Sequence, residues 1–373
     1  MSGAATSSTT LRRIGRTWVW VLPLLGIAAL VLSWERELPT LAYVLVGAVL
    51  VGVVLAAVHH AEVIAHRVGE PYGSLVLAVA VTVIEVALII TLMLGKASED
   101  ASTLARDTAF AAVMITLNGI VGLSILVGSL KHNTPRFNPE GAGGALAVVV
   151  TLTTLTLVIP SFTVSEPGAQ FSPTQLAFVA VASIVLWGAF ILLQTGRHRD
   201  FFLPVGKTGE IIDEDAHSDP PSNRETWISL GLLLASLIAV VGLAKAMSPA
   251  IEGIVEAAGI PETFVGVVVA LVVLLPEGLA ATKAAARNRL QTSLNLGIGS
   301  AMASIGLTIP AIAVASIWLP TPLTLGLGPV QIIEFLLTVA VATLTIVPGR
   351  ATRLQGVVHL VLFAAFLFLA TTP

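Results

Sequence analysis

The chain reads as an all-α polytopic membrane protein of eleven transmembrane helices, one extra N-terminal helix followed by two inverted five-helix repeats. Three observations carry that reading. Of the 373 residues, 55% are hydrophobic and 11% charged, and the mean hydropathy is +0.94, which leaves too little polar surface for a soluble fold. Apolar runs long enough to cross about 30 Å of hydrocarbon recur along the whole chain. The loops between those runs alternate between basic and almost base-free.

In chain order the runs fall near residues 17–34, 40–58, 72–94, 107–130, 145–163, 174–194, 227–246, 262–282, 291–316, 329–347 and 352–371. The first follows Arg12, Arg13 and Arg16 as a secretory leader would, but its length and the charge count fit an uncleaved span. One set of loops holds 15 basic residues: the N-terminal tail, then Arg67, Lys131 and Arg136, the linker with Arg197, Arg199, Lys207 and Arg224, then Lys283, Arg287 and Arg289, and finally Arg350 and Arg353. The other set holds Arg36, Lys96, Arg106 and Lys245. Basic loops stay in the cytoplasm, so the N-terminus is expected inside and, after an odd number of spans, the C-terminus outside. Trp18, Trp20, Trp34, Trp187, Trp227 and Trp318 lie near span ends, where interfacial anchors belong.

The segment from Ala61 to Gly73 resembles that from Ile251 to Phe264, matching Glu62 with Glu252, His66 with Glu256, Gly69 with Gly259 and Pro71 with Pro261. Further on, Asn118 to Ser124 aligns with Met302 to Thr308, placing Gly122 on Gly306. The chain therefore divides into 1–39 (tail and extra span), 40–195 (first repeat), 196–226 (cytoplasmic acidic linker) and 227–373 (second repeat). Five spans per unit is odd, so the second copy enters the membrane from the opposite side. That is an architecture in which secondary transporters bind substrate near the midplane and alternate access between the two faces. The linker's Asp213, Glu214, Asp215 and Asp219 read as a solvated connector, with a regulatory cation patch as the alternative; the spacing is not that of an EF-hand.

Each repeat carries a glutamate in the middle of an apolar run: Glu85 in the third span and Glu277 in the eighth. A carboxylate at the centre of a span costs about 2.5–3.5 kcal/mol on insertion scales, so a repeat-related pair points to a function. Two negative charges match a divalent cation. Calcium takes six to eight hard oxygens, and Thr82, Asn118, Ser300 and Ser304 are candidate supporting ligands, with helix-to-helix hydrogen bonding as the alternative for the last three. Burial disfavours the charged form of a carboxyl group, so the same pair can take protons. A site that holds either a cation or protons, and is costly when empty and charged, is the basis of obligatory exchange. Glu334 reads as a carboxylate complementing a helix N-terminus, and His359 as a packing or interfacial residue. His59, His60 and His66 with Glu62 form a polar span end, or a pH sensor in the proton path.

The stretch from Ala284 to Val314, with the Leu-Pro-Glu-Gly at 275–278, resembles the second signature repeat of calcium/proton exchangers in the cation/calcium exchanger superfamily. The elements that carry it are Glu277, Asn288, Arg289, Leu290, Ser293, Leu294, Gly299, Ser300 and Ala301. The segments 69–89 and 104–130 resemble the ChaA-type branch, whose members exchange calcium, sodium or potassium for protons. The resemblance runs from about residue 40 to the end. It implies eleven spans, two inverted repeats, no cofactor, and Glu85 and Glu277 as the shared cation and proton site. The family's Gly-Asn-Ala before each glutamate is replaced here by Thr82, Val83, Ile84 and by Leu274, Leu275, Pro276, which leaves sodium and potassium open as cargo.

The expected partners are calcium and other cations, protons and the lipid bilayer of a bacterial inner membrane; no nucleic-acid footprint is present. Zero cysteines excludes disulfides and thiolate chemistry. An intramembrane metal-dependent enzyme is the competing class, with His59 to His66 as its one candidate cluster, but the order is not the HExxH of zinc hydrolases. A passive channel has no need of titratable groups in a closed midplane site.

Overall fold

In the computed structural model, residues 5–36, 38–69, 72–95, 98–196, 198–205, 221–319 and 322–372 are described. The long elements are helices: α1 (Ala5–Ser33), α2 (Thr40–Val68), α3 (Tyr72–Gly95), α4 (Ser98–Met114), α5 (Val121–His132), α6 (Pro139–Thr153), α7 (Pro173–Thr195), α8 (Asn223–Ala258), α9 (Phe264–Ala286), α10 (Leu290–Ala315), α11 (Pro329–Ile346) and α12 (Arg353–Thr371). A π-helical segment, Ile115–Ile120, joins α4 and α5 into one span, and α6 runs on through a second, Thr154–Val158. Ten described helices are long and apolar enough to cross a membrane, and Thr17–Ser33 within α1 adds a shorter apolar stretch of about 25 Å. Eleven spans, as one plus five plus five, are what the sequence predicts. Asp213, Glu214, Asp215 and Asp219 lie outside the described residues.

Helix ends differ from the apolar runs, because a helix satisfies its own backbone after it leaves hydrocarbon. α2 continues past residue 58 through His59, His60 and Glu62, and α8 past residue 246 to Ala258. They stop at Gly69 and Gly259, with φ of +76° and +64°, a region glycine enters without steric cost. These are the two glycines equated across the repeat.

The chain forms two compact units that do not follow the repeat boundary: residues 1–92 with 219–252, and 93–218 with 253–373. In the first unit α1 packs on α2, and Leu30, Val46 and Leu243 form a buried cluster. His60 is buried, its Nε2 2.8 Å from the Val19 carbonyl and its Nδ1 3.3 Å from Ser229 Oγ, tying α1, α2 and α8 together. The extra first span is thus a packing element of this unit.

In the second unit α4 packs on α9, α5 on α12, and α10 on α6, α7 and α9. α5 and α12 cross closely. A Cβ built at Gly356 falls 2.7 Å from the Leu126 nitrogen and 3.0 Å from the Gly122 carbonyl oxygen, so Gly356→Ala is expected to cost about 1–3 kcal/mol by overpacking. A lowered Tm of the detergent-solubilised protein checks this. Trp187 does not anchor an interface: it is 7% exposed and packs at Gly306 of α10. Trp18, Trp20, Trp34, Trp227 and Trp318 are exposed.

Hydrogen bonds in this unit sort the loops into the two sets that charge counting separates. At one end Phe137 and Ala351 nitrogens donate to Gly349 and Pro135 carbonyls at 3.1 and 3.0 Å, His132 Nε2 lies 3.1 Å from the Ala286 carbonyl, and Asn295 donates to the Phe202 carbonyl. These join the loops after spans four, six, eight and ten. At the other end the Thr324 nitrogen donates to Ser102 and Gly326 to Ala169, both at 3.0 Å. Those join the loops after spans three, five and nine.

Candidate cation site

Glu85 is the fourteenth residue of α3 and Glu277 the fourteenth of α9, so each carboxylate stands about 20 Å along its helix. Glu85 is 3% exposed, and Thr82, one turn earlier on the same face, is buried with it. Glu277 is part-buried. The two glutamates belong to different compact units, the first containing Thr82 and Glu85, the second Glu277, Asn118, Ser300 and Ser304.

Within the second unit, α9, α10 and the π segment pack together. Beside Glu277, a Cβ at Gly278 would touch Ile120 at 3.5 Å, and one at Gly297 of α10 would touch Ile120 and Val121. Ser304 is buried and Ser300, one turn away, part-buried. α9 continues through Pro276, whose nitrogen cannot donate to the Val272 carbonyl four residues back. That leaves a backbone oxygen without its helical partner one turn from Glu277.

Asn118 bonds to α11 and α12. Its Nδ2 donates to Thr338 Oγ1 at 2.9 Å, and its Oδ1 lies 3.1 Å from Nδ1 of the fully buried His359, whose Nε2 is 3.1 Å from Thr345 Oγ1. These contacts tie the π segment to α11 and α12. An amide oxygen accepts, so His359 donates through Nδ1 and accepts through Nε2 from Thr345. Asn118→Ala removes one acceptor of a buried imidazole and the donor to Thr338, and is expected to destabilise the fold by about 1–3 kcal/mol while changing apparent cation affinity less than threefold. Thermal unfolding and transport kinetics on the same preparation check both halves.

The π segments are local features that sequence reasoning missed. Their local signal is threonine: Thr116 Oγ1 bonds back to the Ala112 and Val113 carbonyls at 2.7 and 3.0 Å, Thr153 to Val149 and Thr156 to Leu152 at 2.8 Å, a pattern that bends helices. Glu334 also departs from its sequence reading. It is the sixth residue of α11, in the second turn, beyond the first-turn reach of a helix terminus. In the cluster from His59 to His66, both ring nitrogens of His60 are engaged in packing, and among the described residues no three His, Cys, Asp or Glu are grouped to hold a metal.

The family described as sodium/calcium exchanger protein matches residues 19–196 and 228–372. The chain belongs to this family. It is 47% identical over 363 residues to the y4hA protein of Sinorhizobium fredii, spanning 95% of this chain and 96% of that one. It is 33% identical over 350 residues to the sodium-potassium/proton antiporter ChaA of Escherichia coli, spanning 93% and 94%. The solved structure of the Ca2+/H+ antiporter YfkE shares the fold, with a TM-score of 0.71 at 18% identity over 95% of this chain and 99% of that one. As a member of the sodium/calcium exchanger family the chain is a multi-pass cation transporter of the ChaA type and not an enzyme. Its ions are cargo.

Proposed function

We propose that this exchanger moves cytoplasmic calcium out across a bacterial inner membrane in return for protons, by alternating access, with Glu85 and Glu277 as the shared cation and proton site. The observation that carries the reading is positional: two carboxylates, each the fourteenth residue of a repeat-related span, in helices otherwise apolar at that depth. Together they supply two charges for a divalent ion and two places for protons. Thr82, Ser300, Ser304 and the Val272 carbonyl are the neutral oxygens that fill out the shell, and water supplies the rest. Asn118 acts one step back, by holding the π segment. The basic loop set is cytoplasmic, which puts the N-terminus inside and the C-terminus outside.

A second reading, sodium or potassium in place of calcium, is favoured by the name of the 33% identical Escherichia coli relative and by the side chains that replace the Gly-Asn-Ala amides. Cation-induced dequenching in everted vesicles, run with calcium, sodium and potassium in turn, separates the two. Calcium is expected to give the half-maximal response at the lowest concentration. A response to sodium or potassium with none to calcium makes the cargo monovalent and keeps the site; no response to any of the three overturns the proposal. Voltage adds a second criterion. Two protons for one calcium is electroneutral, so a valinomycin-clamped potential should leave calcium exchange unchanged, whereas two protons for one sodium responds to it.

A further inference from the structure

Away from the glutamate pair, the second unit contains a cavity of about 310 Å³ lined by Arg106, Asp107, Thr263, Gln331 and Glu334 among apolar residues that include Phe110 and Phe366. It sits where the middle of α4 meets the starts of α9 and α11 and the end of α12. Arg106 donates to the Gly326 carbonyl at 3.2 Å, which fixes this as the end of the base-poor loops, the extracytoplasmic end by charge counting. Asn118 lies eleven residues beyond Asp107 in the same span, so the cavity is about 16 Å outward of that level.

Its polar atoms are poorly satisfied for so buried a place. Asp107 is 4% exposed. Its Oδ1 accepts from Arg106 Nε at 2.8 Å; the Thr103 and Gln331 side chains lie within looser hydrogen-bonding reach of the carboxylate, but no donor meets hydrogen-bond geometry at the buried Oδ2. Glu334 Oε1 is in the same condition. A buried carboxylate oxygen left unpaired costs about 1–3 kcal/mol or more, and two such oxygens line one cavity. The charged lining groups are Arg106 and Asp107 from α4 and Glu334 from α11; α9 and α12 contribute none. The sum is one net negative charge in a low-dielectric cleft, which concentrates cations.

We propose that this cavity is a second cation site, a station on the extracytoplasmic side of the transport path at which a hydrated cation is held by Asp107 and Glu334. Hydration follows from size and ligand number. At about 30 Å³ per water the space takes on the order of ten waters, while two carboxylates with Thr263 and Gln331 fall short of the six to eight oxygens that replace calcium's full shell. Arg106 holds one oxygen of Asp107 and leaves the other for the ion. The inference extends the exchange reading above, since it supposes an ion that passes this end on its way from or to the central glutamates.

The test is calcium binding to the purified full chain in detergent, measured by equilibrium dialysis with radioactive calcium and repeated with sodium as competitor. A Glu85→Gln/Glu277→Gln double variant, its central site removed, should keep weak saturable binding. Adding Glu334→Gln, or separately Asp107→Asn, should weaken that binding at least tenfold. Should the combined variants not fold, wild type against Glu334→Gln alone decides: two classes of calcium site falling to one. No saturable binding in the double variant, or binding indifferent to Glu334 and Asp107, overturns the second site. Wild-type transport by the double variant would instead sink the central-glutamate reading and leave the Glu334 comparison to decide the cavity independently.

Discussion

Glu85→Gln and Glu277→Gln are each expected to abolish exchange while leaving the protein inserted and folded. Glutamine keeps the volume and the hydrogen-bonding capacity but cannot cycle between a charged and a protonated form. Removing one charge from a buried, compensated set typically costs about 3–5 kcal/mol, and about 3 kcal/mol is already more than a hundredfold in affinity. Coupling fails as well, because the remaining carboxylate carries one proton where two are needed. The fold has little reason to suffer: a neutral amide in hydrocarbon is cheaper than a carboxylate. Repeat symmetry sets a further expectation, that the two variants fail to a similar degree. Near wild-type rates in either one, with reconstituted protein at matched amounts, contradict the two-carboxylate site.

The second large effect is in pH. Protons and the cation compete for the same oxygens, so raising cytoplasmic pH should lower the apparent Km for the cation until both carboxylates are ionised and then leave it constant. The sign follows from occupancy, since a protonated carboxyl cannot ligate the ion. On the acid side, one competing proton changes apparent affinity about tenfold per pH unit and two about a hundredfold. Initial rates in liposomes from pH 6 to 9 measure the slope. A wild-type Km flat across the whole range rules out competition at these residues there.

Legibility in the sequence follows the range of the interaction concerned. Glu85 and Glu277 stand out because a carboxylate breaks an apolar run, which is a local signal; each is the fourteenth residue of its helix, 16 and 18 residues past the repeat glycines Gly69 and Gly259. The span count is legible for the same reason. Helix ends are not, since α2 and α8 persist through polar residues that hydropathy reads as loop. Asn118 is beyond local reasoning: its partners Thr338 and His359 are 220 and 241 residues away. Asp107 has the same character. Its pairing with Arg106 is adjacent in sequence and looks like two charges at a span end, whereas the span begins earlier, at Ala101, and buries them. Trp187 resembles the other tryptophans until Gly306 is known to lie against it.

One measurement bears most directly on the shared site: proton release on cation addition to purified protein in weakly buffered detergent, followed with a pH dye at calcium concentrations that saturate the wild type. If cation and protons occupy the same carboxylates, calcium must expel protons. Release should be stoichiometric with bound calcium at acid pH and decline to nothing at the alkaline plateau of affinity. It should be absent at the same calcium concentrations when Glu85 and Glu277 are both glutamine. Saturable calcium binding by the wild type without proton release at any pH between 6 and 9 would contradict it.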